Sequence, residues 1–206
     1  MTVADRLAQG AKSLGIALTA GDGTKLEQLL DELERWNRAY NLTSITDREE
    51  MVTHHLLDSL TINELLEGTA IADVGTGAGF PGLPLAILNP ERRFTLIDSA
   101  GKKIRFVSHV AHALGLANVA GVHARVESLH PQRPFDTIVA RAFAPLPEML
   151  ERVLPLSGPD TRVLAMKGKW PREEVAGIPQ GWRLESSRDL VVPGLDEARC
   201  VLVLTR

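Results

Sequence analysis

The stretch DVGTGAGFPG, Asp73 to Gly82, follows directly on the apolar pair Ile71-Ala72, and its reading decides the fold of the rest. It is the signature of a strand that turns sharply into a helix beneath a ligand. Lacking a Cβ, Gly75, Gly77 and Gly79 can adopt positive φ and bring backbone N–H groups close to a bound molecule. A nucleotide-type ligand suits such a loop, and a glycine-rich surface turn is the plainer alternative.

Two glycine codes compete for this segment. The spacing Gly77-x-Gly79-x-x-Gly82 fits the dinucleotide fingerprint, but its first glycine comes too late after Asp73 to make the turn that ends the strand. Read from Gly75, the same code puts Phe80 where its third glycine belongs. An acidic residue at the strand end followed by G-x-G-x-G is met by Asp73, Gly75, Gly77 and Gly79. In this the segment resembles the first motif of the class I S-adenosylmethionine-dependent methyltransferases. The next apolar strand, RFTLID, ends in Asp98. In a βαβ unit that carboxylate stands beside the glycine loop, where it can accept hydrogen bonds from the hydroxyls of a ribose. Nicotinamide enzymes share this acid, so it supports a nucleoside without choosing the cofactor.

The 206 residues carry a formal charge of −3, and 44% of them are hydrophobic, as in an ordinary globular chain. Any nucleic-acid contact therefore calls for a local basic patch. No apolar run approaches the roughly 18 residues of a membrane span, and the start has no signal-peptide character. The one cysteine, Cys200, cannot form an internal disulfide. The six histidines have no cysteine partners at zinc spacing. A cytoplasmic monomer without metal or membrane is the expectation.

Helical character dominates residues 1–67. Val3 to Leu14 reads as a first helix, Gly21 to Gly23 as a break, and Thr24 to Tyr40 as a second helix whose Leu26, Leu29, Leu30 and Leu33 share a face. A third is expected over Asp47 to Glu67. From residue 68 to 206 short apolar strands alternate with helices: Ala70–Val74, Arg93–Asp98, Asn118–His123, Phe135–Arg141 and Arg162–Lys167, then Trp182–Val191 and Arg199–Thr205 around Pro193-Gly194. This repetition predicts an α/β domain with a mostly parallel sheet covered on both faces, closed by an antiparallel edge hairpin at the C-terminus. Residues 1–67 would form an N-terminal helical extension to it.

Several polar residues stand where that edge of the sheet would bind a ligand. Glu127 and the backbone of Val126 follow the third strand, at the adenine end of a nucleoside, although Glu127 also suits a helix start. Arg141, among Ala140, Ala142 and Phe143, needs a partner: an ion pair with Asp58 or Asp136, a cofactor, or an RNA phosphate. Lys167 and Lys169, with Trp170, end the fifth strand, where Trp170 either stacks on a base or is buried. Lys102, Lys103 and Arg105 open a helix, the unfavourable end for cations, so they are either a solvated face or a polyanion contact. In the extension, His55 and Asp58 share a helical face and can hydrogen-bond to each other.

Taken together, NLTSI, HHLLDSL, DVGTGAGFPGLPLAI, LIDSAGKKIRF, RVESL, VARAFAPL and MKGKW resemble, in order and interval, the bacterial 16S ribosomal RNA guanine-N7 methyltransferases, the glucose-inhibited division protein B family. The likeness runs from about residue 25 to the C-terminus. It implies a class I (Rossmann-like) methyltransferase sheet of seven strands. It also implies S-adenosyl-L-methionine as methyl donor and 16S ribosomal RNA of the small ribosomal subunit as partner. Carried onto this chain, the cofactor contacts are Gly75, Phe80, Val126, Glu127 and Arg141, to which the glycine-loop and ribose arguments add Asp73, Gly77, Gly79 and Asp98. Candidates for positioning the guanine are His55, Asp58, Arg141 and Lys167, with no general base expected. RNA-binding candidates are Lys102, Lys103, Arg105, Lys167 and Lys169. Three rivals remain on the residues alone: another methyltransferase of the same fold, a nicotinamide oxidoreductase, and a non-enzymatic RNA-binding factor.

Overall fold

In the computed structural model, which describes residues 2–206, α1 (Val3–Ser13) and α2 (Ala20–Tyr40) come first. The break expected at Gly21 to Gly23 does not occur. A capping box overrides it: the Thr19 hydroxyl accepts the Asp22 N–H at 3.1 Å, and the Asp22 carboxylate accepts the Thr19 N–H at 3.0 Å. Both glycines therefore fall in the first turn of α2, where a missing side chain costs least. The helix ends at Asn41, which takes a left-handed conformation with φ 48°.

The single helix expected over Asp47 to Glu67 is divided. It consists of α3 (Arg48–Met51), a π-helical turn (Val52–Leu57), α4 (Asp58–Leu60) and a 3-10 turn (Asn63–Leu65). π-Turns are rare and collect at functional sites; this one carries His54 and His55.

Beyond it the strands and helices alternate as predicted: β1 (Ala70–Val74), α5 (Gly82–Leu88), β2 (Arg93–Asp98), α6 (Gly101–Ala113), β3 (Val119–His123), β4 (Thr137–Arg141), α7 (Leu146–Arg152), β5 (Arg162–Lys167), α8 (Arg172–Ala176), β6 (Arg183–Asp189) and β7 (Cys200–Thr205). The seven strands form one sheet in the order β3-β2-β1-β4-β5-β7-β6. β1 to β5 are parallel, and β7 runs antiparallel between β5 and β6. The strand order reverses direction between β1 and β4. At such a switch point the loops leaving the strands diverge and open a crevice.

Alternation along the strands builds two cores. Ile71, Leu96, Val139, Leu164, Val201 and Val203 face the layer formed by α1, α2, α5 and α6. Ala72, Ile97, Ile138, Val163, Leu202 and Leu204 face α7 and its neighbours. Leu26, Leu29, Leu30 and Leu33 of α2 are fully buried in the first core, each contributing roughly 1.5–3 kcal/mol of apolar burial. The helices before β1 are thereby packed onto the same face as α5 and α6, and this carries the π-turn to the carboxyl edge of the sheet. No helix among the described residues is long and apolar enough to cross a membrane.

Candidate functional site

Two cavities open at the carboxyl edge, on either side of the switch point. The glycine loop borders the first through Gly75. Gly75, Gly77 and Gly79 have φ of 66°, 60° and 86°, as the motif predicts. Asp73 is fully buried beneath the loop, and its Oδ2 accepts the Thr76 hydroxyl at 2.5 Å and the Gly82 N–H at 2.8 Å. Its Oδ1 has no partner. Burial raises the Asp73 pKa to about 6, although the bonds from Thr76 and Gly82 favour the charged form. Asp98 ties the second strand to the loop, accepting the Gly77 N–H at 2.9 Å and the Ala100 N–H at 2.8 Å, with Lys103 at 3.6 Å.

The first cavity, about 270 Å³, is lined by Gly75, Asp98, Ser99, Val126, Glu127 and Phe143. Four of the predicted cofactor residues thus meet around one hollow, together with Lys103. Asp73, Gly77, Gly79 and Phe80 lie behind or beside it and line neither cavity. These groups fit a nucleoside: a carboxylate ends the second strand, the positive-φ Gly75 lines the wall after the first, and Val126 and Glu127 follow the third.

The second cavity, about 460 Å³, is lined by His55, Asp58, Arg141, Lys167, Gly168 and Arg199, among others. Ala142 belongs to the walls of both cavities. Its φ of 50° is unusual for a residue with a Cβ, a conformation costing on the order of 1–2 kcal/mol that the surrounding packing sustains.

Arg141 finds its partner in Asp58, 2% exposed, at 2.7 Å, and a second acceptor in the His54 carbonyl at 2.9 Å. Asp136 is instead occupied by the N–H groups of Thr69 and Ala70. The other oxygen of Asp58 lies 3.3 Å from Arg199 Nε. The hydrogen bond expected between His55 and Asp58 is not made, because Arg141 and Arg199 claim the carboxylate. His55 turns to Thr43 of the NLTSI segment, with Nε2 3.0 Å from its hydroxyl oxygen, and stacks on Phe80 at 4.7 Å between centroids. Its Nδ1 is unpartnered. Burial, then the charge of Arg141, lowers its pKa to about 4, so the ring is neutral near pH 7.

Lys167 reaches Glu174 at 2.7 Å and the Ala144 carbonyl at 3.1 Å, pinning α8 to the loop after β4. Lys102 donates to the Tyr40 carbonyl at the end of α2 at 2.8 Å, which accounts structurally for a cation at that helix start. Arg105 and Lys169 are exposed. The cations of α6 and those after β5 share the carboxyl edge but are separated by β1 and β4, roughly 14 Å of sheet at the usual strand spacing.

Phe143, Arg152 and Arg199 line these cavities without having been singled out in the sequence. Arg199 could have been found from topology: β7 is antiparallel, so the residue before its first position, not after its last, stands at the carboxyl edge beside Lys167.

The chain is similar to known proteins over nearly its whole length. A family model described as "rRNA small subunit methyltransferase G" (GidB) matches residues 22–203. A protein of that name from Pseudomonas aeruginosa (strain LESB58) is 50% identical over 204 residues, 98% of this chain and 95% of its own length. Another from Shewanella amazonensis is 43% identical, covering 99% of each chain. Among solved structures, an S-adenosylmethionine-dependent methyltransferase from Aquifex aeolicus has a TM-score of 0.55 at 21% identity, over 73% of this chain and 91% of that one. Crystalline TrmN from Thermus thermophilus has a TM-score of 0.58 at 23% identity, over 84% of this chain and 52% of that one. These structures share the class I methyltransferase fold with it. The chain belongs to the rRNA small subunit methyltransferase G family.

Proposed function

We propose that this protein transfers a methyl group from S-adenosyl-L-methionine to N7 of a guanine in the decoding-region loop of 16S ribosomal RNA. The observation that carries this reading is the pair of cavities sharing Ala142: a polar one of nucleoside character and a larger, mostly apolar one ringed by Asp58, Arg141, Lys167 and Arg199. The donor's nucleoside belongs in the first, held by Asp98, Gly75 and the Val126-Glu127 turn. The target base belongs in the second. The chain acts as a monomer on RNA, the exposed large apolar side chains among the described residues being the scattered Tyr40, Leu154, Trp170 and Val191.

When bound, the donor supplies an electrophilic methyl on a sulfonium sulfur. Guanine N7 has a free lone pair and attacks without losing a proton, so the protein's work is alignment. Held by Asp98, Gly75 and the Val126-Glu127 turn, the donor would supply both the methyl and the positive charge that the purine gains. Holding the reactants in line supplies on the order of 7–11 kcal/mol of the barrier. Here Ala142 and the loop after β4 fix the wall across which methyl and base meet. The donors of Arg141, Lys167 and Arg199 suit guanine O6 or phosphate oxygens. Asp58 offsets the two guanidinium charges, which would otherwise oppose a base that becomes cationic.

Incubation with labelled S-adenosylmethionine and small subunits lacking the modification, followed by mapping of the methylated nucleotide, tests this. Label on guanine N7 in the decoding region is the expected result. Label on protein, on another base or nowhere would refute it.

A further inference from the structure

The chain leaves one aromatic side chain out of its cores at the rim of the second cavity. Trp170 is 43% exposed. Trp36, by contrast, packs against Tyr40, Phe106 and His109, and Trp182 is buried. Trp170 follows Gly168, which lines the cavity, by two residues, so its Cα stands within about 7 Å of that wall. Exposed Lys169 and Arg172 flank it, and neither makes an ion pair among the described residues. The nearby Glu174 is turned onto Lys167, leaving Glu173 as the exposed carboxylate of the segment. Internal packing explains neither the open indole nor the two free cations beside it.

An indole face with cations on both sides is the chemistry that holds an unpaired nucleotide: the base stacks on the ring, and the phosphates before and after it meet the charges. We propose that Trp170 stacks on the base next to the target guanine, with Lys169 and Arg172 on the adjoining phosphates, so that the MKGKW segment grips the RNA strand as the guanine enters the cavity. This rests on the reading that the second cavity holds the guanine. The contact is to a base face and selects single-stranded RNA, not a particular sequence.

Steady-state methyl transfer to small subunits lacking the modification, together with Trp fluorescence, tests it. Trp170→Ala should raise KM for the subunit between about fivefold and a hundredfold, with kcat and S-adenosylmethionine affinity unchanged. Trp170→Phe should return KM to within a few-fold of wild type. Removing Lys169 and Arg172 together should flatten the dependence of log KM on log salt by roughly 1.4. Binding of the subunit should quench the emission of the wild type but not of Trp170→Phe. A KM for Trp170→Ala within twofold of wild type, or quenching that survives in Trp170→Phe, would overturn the proposal. Absence of methyl transfer by the wild type would instead bring down the proposed function, and the quenching comparison would still decide the stacking.

Discussion

Arg141, the last residue of β4, donates to Asp58 of the helical segment at 2.7 Å across 83 positions of sequence. This contact fixes the roof of the second cavity to its floor. Asp58 is buried, while Arg141 and Arg199 are about one-fifth exposed. Removing the carboxylate leaves Arg141 with only the His54 carbonyl, and Arg199 with the exposed Glu197 carboxylate and the Ala198 carbonyl. Asp58→Ala should therefore lose on the order of 3 kcal/mol in urea unfolding, and methyl transfer should fall with it. Asp58→Asn, which keeps the volume, should lose nearly as much. A loss under about 1 kcal/mol in both would show that the pair is not what holds the cavity.

Gly75 and Gly77 have the same handedness but different surroundings. A Cβ at Gly75 would lie 2.4 Å from the Phe143 ring, whereas at Gly77 the nearest atom is the Gly75 carbonyl oxygen at 4.0 Å. Gly75→Ala should push Phe143 into the first cavity, weakening S-adenosylmethionine binding more than tenfold and costing stability beyond the roughly 1–2 kcal/mol of backbone strain. Gly77→Ala should bear the strain alone. Calorimetric titration beside urea unfolding separates the two effects. Equal stability losses would contradict the steric account.

Most of the fold was legible because its devices are local. β1, β2 and β5 run over the residues that the sequence marks as apolar strands. The sequence misled where a side chain outvoted composition, as when Thr19 and Asp22 carried a helix through Gly21 and Gly23. For the site, the residues of the glycine loop and of the parallel strand ends were visible, since their chemistry sits at positions the topology singles out. His55 meeting Thr43 and Phe80, or Asp58 choosing Arg141 over His55, depends on how the π-turn is rotated, which periodicity of 3.6 does not encode. Arg199 was hidden by strand direction. Arg199 reads as the first residue of a strand in an antiparallel edge hairpin, and only the pairing of β7 with β5 brings that end beside Lys167.

Two buried groups should give opposite pH dependences. His55 is held at a pKa of about 4 in the folded protein, against 6.5 when free. The unfolded chain therefore gains a proton first, and stability present above pH 6.5 is lost as pH falls toward 4. Asp73 is raised from 3.8 to about 6, so the native state takes up its proton first, and stability present below 3.8 is lost as pH rises through 6. One pKa unit corresponds to about 1.4 kcal/mol. Relative to wild type, His55→Gln should therefore gain on the order of 2 kcal/mol between pH 7 and 4.5, and Asp73→Asn should lose a similar amount. Urea unfolding of the three proteins at both pH values checks the signs. The same sign for both variants would refute the assignment of the shifts to these two side chains.

Because N7 of guanine attacks with a lone pair it already owns, the wall residues around the second cavity have no proton to remove. His55 is neutral and has an unpartnered Nδ1, which makes it the side chain best placed to be mistaken for a base. Loss of a true general base costs roughly 100- to 10,000-fold and removes a limb from the pH profile. His55→Gln should instead keep kcat within about tenfold of wild type. Its kcat, like that of wild type, should be flat from about pH 7 to 9 when measured by single-turnover methyl transfer with saturating subunits. A thousandfold fall in His55→Gln, with donor and RNA affinities intact and a titrating limb gone, would mean that a proton is transferred in the rate-limiting step and that the substrate atom is not N7.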